Sequence, residues 1–269
     1  MTCVHRALGL GLALTIGGIG YLGVASASDS DQASLESTET LCSNRSLLGT
    51  YLFEYVGRPA GDAPYSASGG FRFFDGWGNG WMAFTSVMSA ELQTERFEYN
   101  IAPDCTGTID YRSGTTSEHI FVHPRGDHFS WIDTRPGFVA NGQDWRASRR
   151  GPILCSTATL KGSYVGSSRG NSAPPDTDAL YAESWIQSFD GLGRVVGPYT
   201  SSDGESNVSI GTYVVNANCV GEIQYPTGAI FRIFVSPAGD ALVGVDLVDD
   251  FGSLGSSYKV SDQLLFTAD

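Results

Sequence analysis

From Cys42 onward, short runs rich in aromatic and β-branched residues alternate with Gly, Asp, Asn and Pro, the pattern of strands joined by tight turns. In the first half these runs fall at 48–56, 68–74, 81–88, 96–101, 107–111, 119–123, 128–133 and 144–147. Beyond the first 27 residues no stretch holds a sustained helical period bounded by caps. The pattern then repeats. Ile120-Phe121-Val122-His123-Pro124-Arg125-Gly126-Asp127 returns 113 positions later as Ile233-Phe234-Val235-Ser236-Pro237-Ala238-Gly239-Asp240. Gly49-Thr50-Tyr51 returns as Gly162-Ser163-Tyr164, Phe74-Asp75-Gly76-Trp77-Gly78 as Phe189-Asp190-Gly191-Leu192-Gly193, and Asp133 as Asp246. Offsets this constant define two homologous units of about 110 residues. About eight short strands per unit predict an all-β protein of two tandem antiparallel β-barrels, because closure removes exposed sheet edges. A β-sandwich in each unit is the alternative. A single barrel shared by both units is also open to this pattern.

The ends of the chain and its cysteines refine this picture. Residues 1–27 combine Arg6, an apolar glycine-rich run and a small-residue site at Ala25-Ser26-Ala27, which predicts a secretory signal peptide. Residues 28–41 are acidic and hydroxyl-rich and predict a flexible leader. The units then span 42–154 and 155–269. Cys3 falls in the segment read as signal peptide, and the remaining four cysteines divide evenly, Cys42 and Cys105 in one unit, Cys155 and Cys219 in the other. Their near-equal separations predict disulfides Cys42–Cys105 and Cys155–Cys219, one per unit, which favours two barrels over one and a secreted or periplasmic location. The full chain carries a formal charge of −13. That balance argues against nucleic acid or a membrane surface as partner. Nothing in the sequence fixes the oligomeric state.

Few residues offer chemistry. Phe-Asp-Gly-x-Gly reads as a hairpin turn that needs positive φ, since a phosphate-binding glycine loop would open a helix. A turn at Pro124–Asp127 places His123 opposite His128, a pair that could supply half of a metal site or lie on the solvent face. His119 is a further two residue pairs down the strand, roughly 13 Å away, too far to join them. An aromatic cluster of Phe71, Phe73, Trp77, Trp81, Phe84 and Trp131 surrounds Arg72 in the sequence pattern. Aromatics on barrel strands form core or line a cavity. Turned inward, Arg72 would need a partner, for which Glu54 is the first candidate; turned outward, the reading favoured here, both are surface charges. No Gly-x-Ser-x-Gly elbow occurs, and Arg125-Gly126-Asp127 reads as a turn.

The Gly-Thr-Tyr segment after a leading strand, the Phe-Asp-Gly-x-Gly hairpin, Gly211 to Gly221 and the Ile-Phe-Val hairpin resemble small exported bacterial domains of unassigned activity. Those domains resemble allene oxide cyclase and the dirigent-like or lipocalin-like β-barrels. The first unit departs from the pattern, with Phe97-Glu98-Tyr99 where the second has Gly211-Thr212-Tyr213. The resemblance implies an eight-stranded barrel able to hold a small apolar molecule, and it carries over no catalytic residue. The leading expectation is a secreted tandem barrel that binds such a molecule in its first unit, with Arg72, Trp77, Trp81, Trp131 and Glu54 at the ligand. No cofactor is expected. A cofactor-free cyclase or isomerase and a non-catalytic extracellular scaffold are the alternatives.

Overall fold

Every run of alternating apolar and polar residues becomes a strand, and each set of eight closes on itself. A computed structural model describes residues 41–59, 65–114, 117–149, 154–172, 180–247 and 251–267. The segment read as signal peptide, and the leader up to residue 40, lie outside these residues. The first barrel is β1 (Leu48–Pro59), β2 (Ser66–Asp75), β3 (Asn79–Ser86), β4 (Ser89–Ile101), β5 (Thr106–Tyr111), β6 (Ser117–Val122), β7 (His128–Asp133) and β8 (Phe138–Ser148). The second is β9 (Lys161–Ser172), β10 (Leu180–Asp190), β11 (Arg194–Ser201), β12 (Ser206–Val215), β13 (Val220–Gln224), β14 (Ile230–Val235), β15 (Ala241–Asp246) and β16 (Phe251–Ser261). Both are closed up-and-down barrels, with β1 pairing β8 and β9 pairing β16. All-β architecture and two tandem eight-stranded barrels are thus as the sequence predicts; the sandwich and the single shared barrel are not formed. Among the described residues no helix is long and apolar enough to cross a membrane.

The repeated motifs are fold determinants. Tyr51 on β1 is buried and its hydroxyl donates to the carbonyl of Gly126, at the tip of the Pro124–Asp127 turn. Tyr164 donates to the carbonyl of Gly239 in the same way. Gly126 and Gly239 both adopt positive φ, and a Cβ on either would strike a backbone carbonyl about 2 Å away. Hence the pairing of Gly-x-Tyr with Pro-x-Gly-Asp in each copy: one closes the end of the barrel against the other. Asp75 accepts the amides of Trp77 and Asn79, and Asp190 those of Leu192, Gly193 and Arg194, which confirms the Phe-Asp-Gly-x-Gly turn.

Disulfides Cys42–Cys105 and Cys155–Cys219 are both formed, as the spacing predicts, and point to an oxidising environment such as the periplasm or the exterior. Each closes a loop of more than 60 residues, separations of 63 and 64. On the chain-entropy account, changing either cystine pair to serines should cost about 4 kcal/mol. Denaturant titration of the double-serine variants checks this, with a loss below about 1 kcal/mol as the contrary result.

The barrels pack side by side through outward residues of β1 and β2 against β14, β15 and β16. Leu52, Ala67 and Phe71 form one cluster with Phe234, Val243, Val245 and Leu254, with the rings of Phe71 and Phe234 edge to face at 5.5 Å. Gly69 lies opposite Val243, where a Cβ would come within 2.6 Å of a side-chain methyl. The seam is thus a third apolar core, beside those of the two barrels.

Candidate functional site

The two interiors differ although the strands match. In the first barrel, alternation turns Tyr51, Phe53 and Tyr55 of β1, Arg72 and Phe74 of β2, Phe97 and Tyr99 of β4, Glu118 and Ile120 of β6, and Phe129 and Trp131 of β7 inward. Arg72 lies at the centre, 1 % exposed, in bidentate contact with Glu118 at 2.9 Å on both nitrogens and with Nη1 3.6 Å from Asp144. Tyr111 donates to Glu118 at 3.1 Å and Trp131 to Asp144 at 2.9 Å. The guanidinium also sits over the rings of Phe53, at 4.8 Å, and Trp131, at 5.3 Å.

This corrects the expectation for Arg72. It faces inward, and its partners are Glu118 and Asp144 rather than Glu54. Glu54 has the opposite parity to Phe53 and Tyr55 and points out of the barrel into the seam, where burial pushes its carboxyl up against the opposing effects of Ser256 and Arg169. Trp131 is inside, as a packed member of the Arg72 group. Trp77 and Trp81 are on the outer surface, 69 % and 43 % exposed, with Trp81 stacked on Phe73 and Trp77 under Arg45. The five residues expected at a ligand are therefore split among a filled core, a seam and an outer face.

Burial dominates the charge state of the core. It pushes Asp144 up to about 8, against the attraction of Arg72, and pushes Glu118 up as well. Near neutrality Asp144 is then a protonated acid beside the Arg72 guanidinium. A folded-state pKa raised above the unfolded value gives stability that is complete below about pH 4 and lost as pH rises through 8. The first barrel should therefore unfold at lower denaturant concentration at pH 8 than at pH 5, and Asp144→Asn should flatten that slope. A steeper slope in the variant would contradict this assignment.

His123 and His128 do face each other across the hairpin, their rings stacked at 4.8 Å. Both approach Asp127 Oδ1, at 2.8 and 3.1 Å, on the solvent side of the turn, and the three potential ligand atoms lie within 4.8 Å of one another. In the second barrel Ser236 occupies the position of His123 and its Oγ donates to Asp240. Asp127 thus has a turn-capping role that both copies share. A zinc titration followed by calorimetry separates the roles: a turn-capping cluster gives no saturable binding tighter than about 100 μM, and one stoichiometric zinc lost in His128→Ala would establish a metal site.

The second barrel is hollow. A cavity of about 410 Å³ lies within it, lined by residues of β9 to β16. Register shows how it arises. Phe53 of the first barrel corresponds to Gly166, Met82 to Gly197, Phe97 to Gly211 and Trp131 to Gly244, while Tyr55 corresponds to Ser168. The charged centre is gone too: Arg72 corresponds to Gln187, Glu118 to Phe231 and Asp144 to Ser257. Trp185 recovers part of the space by lying over Gly166 and Gly255, its indole N–H donating to Ser257 at 2.9 Å. Gly244 is different. A Cβ there would meet nothing closer than 3.7 Å, so that wall opens onto the cavity.

Apolar walls come from Ile223, Phe231, Ile233 and Leu242, and polar side chains from Ser168, Glu183, Gln187, Asn207, Ser209 and Ser257. Gln187 donates to the hydroxyl of Tyr225 at 2.7 Å, and burial pushes that phenol up. Tyr181 donates to Glu183, whose carboxyl burial pushes up, with the nearby Asp203 and Glu205 acting in the same direction. The β12–β13 ladder ends at Thr212–Gln224. Beyond it Val208 and Ile210 line the cavity while half exposed, and with the Tyr225–Ala229 turn they mark its mouth. The expected cavity in the first unit is thus found in the second.

No protein-family model matches the chain, and no curated protein matches it. Among solved structures it is similar to a protein of unknown function of the DUF3598 family from Nostoc punctiforme, 11 % identical with a TM-score of 0.26, covering 80 % of this chain and 97 % of that one. It is also similar to CghA, 8 % identical with a TM-score of 0.26 over 79 % of this chain and 88 % of that one, and to CghA with Sch210972, 8 % identical with a TM-score of 0.24 over 79 % and 89 %. At these values the functional reading rests on the residues alone.

Proposed function

We propose that this protein is an exported binding protein that holds a small, mostly apolar molecule inside its second barrel, while the filled first barrel supports it through the shared seam. One observation carries the reading: of two interiors built on the same strands and turns, one is packed with Phe53, Phe97 and Trp131 and the other has glycine at each of those positions around a cavity of about 410 Å³. A scaffold role would be served by two filled cores. A volume of this size suits a ligand of drug-like dimensions, with apolar walls for affinity and a few placed polar groups for orientation.

The test uses N-phenyl-1-naphthylamine, a neutral apolar fluorophore, with Trp185 as energy donor, since it is the only tryptophan of the second barrel. Saturable one-to-one binding with a Kd of about 10 μM or tighter supports the proposal. Absence of saturation at about 100 μM overturns it.

A second reading, a cofactor-free cyclase or isomerase of the allene oxide cyclase-like type, is supported by Glu183 of the cavity wall, held in hydrogen-bond contact with Tyr181. In that reading the walls fix the conformation of a reactive substrate and Glu183 moves a proton. Burial that raises the carboxyl above its usual range suits such a role. Turnover that survives in Glu183→Gln would exclude it.

A further inference from the structure

Where β9 and β10 run side by side, the cavity is lined by Ser168, Glu183 and Gln187. Ser168 and Glu183 are register partners on those strands, so their Cβ atoms are about 5 Å apart on the inner face. Ser168 is 7 % exposed, lines the cavity, and its Oγ has no hydrogen-bond partner among the described residues. A buried hydroxyl without a partner is costly unless something else supplies one. Beside it stands Glu183, the only carboxylic side chain lining the cavity among the described residues. No Lys, Arg or His lines the cavity among the described residues. The rings of Trp185, Tyr199, Tyr225 and Phe231 complete the wall.

We infer that the second barrel selects an organic amine, with the ammonium donating to the Glu183 carboxylate and to the unpartnered Ser168 Oγ and with the apolar body lying against Trp185, Phe231 and Leu242. The inference rests on the binding function proposed above and names the class of ligand. Charge decides it. A carboxylate-bearing ligand would meet Glu183 with no cation to offset it, whereas an ammonium gains a charge-assisted hydrogen bond and the faces of several aromatic rings. Ser168 accepts from the ammonium with an oxygen that otherwise has no donor.

Three naphthalenes with one apolar body and different heads test this: 2-(1-naphthyl)ethylamine, 2-(1-naphthyl)ethanol and 1-naphthylacetate. Each displaces N-phenyl-1-naphthylamine from the full chain at about pH 8 and about 150 mM salt, where long-range attraction by the acidic surface is screened. The amine is expected to bind about tenfold or more tightly than the carboxylate. Glu183→Gln should bring the two within about threefold and leave the alcohol unchanged, and Glu91→Gln, which removes an equal charge from the exposed surface of the first barrel, should leave the preference intact. The amine should also weaken as pH falls and Glu183 takes up its proton. Equal or tighter binding of the carboxylate, or a preference that survives Glu183→Gln, overturns the inference while binding of the alcohol upholds the cavity as a binding site. If none of the three binds, both fall.

Discussion

Arg72→Met is expected to destabilise the first barrel by about 3–5 kcal/mol, the largest single-residue effect on stability in the chain. The reason is what remains behind. Glu118 loses two hydrogen bonds from the guanidinium while staying 1 % exposed, and Asp144 loses the cation that offsets its burial. Phe53 and Trp131 also lose the planar cation between their faces. Removing all three polar residues together, Arg72→Met with Glu118→Leu and Asp144→Asn, should restore most of the stability, because a buried ionic group replaced as a unit leaves no orphaned charge. Chemical denaturation followed by intrinsic fluorescence measures both, with Trp185 reporting on the second barrel separately. Equal losses in the single and triple variants would mean that Arg72 acts through its packing volume rather than its charge.

Gly244→Phe is expected to abolish ligand binding, a loss of at least 100-fold, with no loss of stability. Gly244 occupies the strand position of Trp131, and a Cβ built there has only ordinary contacts, at 3.7 Å and beyond. A phenyl group therefore enters the cavity rather than the backbone. Burying the ring should raise the unfolding free energy by roughly 1–3 kcal/mol, as follows from removing such a side chain from water. The contrast with Gly197 is instructive, since a Cβ there would lie 1.8 Å from the carbonyl of Ile186 and any larger residue must disturb the sheet. A stable Gly244→Phe variant that still binds N-phenyl-1-naphthylamine would place the ligand elsewhere.

The fold was largely legible in the sequence because barrels repeat their turns, and turns have sharp residue requirements. Gly126 and Gly239 must reach positive φ beneath a tyrosine hydroxyl, and the disulfide spacing copies itself from one unit to the other. The site was less legible. Composition drew attention to the aromatic first unit, but aromatic residues that alternate along a barrel strand fill it, and those of opposite parity, Phe73 and Trp81, decorate the outside. Arg72 faces inward, against the outward reading of the sequence, because its partners lie on β6 and β8, 46 and 72 positions away, beyond any local pattern. One signal did point to the second barrel: Phe97-Glu98-Tyr99 against Gly211-Thr212-Tyr213. Extended to Phe53 against Gly166 and Trp131 against Gly244, the same comparison locates the cavity from glycines facing bulk in the other copy. Glu183 and Ser168 could not be paired until register was known.

The central claim is that one barrel is filled and its twin is hollow and occupied by ligand. Crystals soaked in 1-bromonaphthalene test it directly, because bromine is located by its anomalous signal without reference to the rest of the molecule. A bromine site inside the second barrel beside Trp185, with none inside the first barrel and none in either barrel of Gly244→Phe, is the predicted result. Bromine inside the first barrel, or none inside the second, would contradict it.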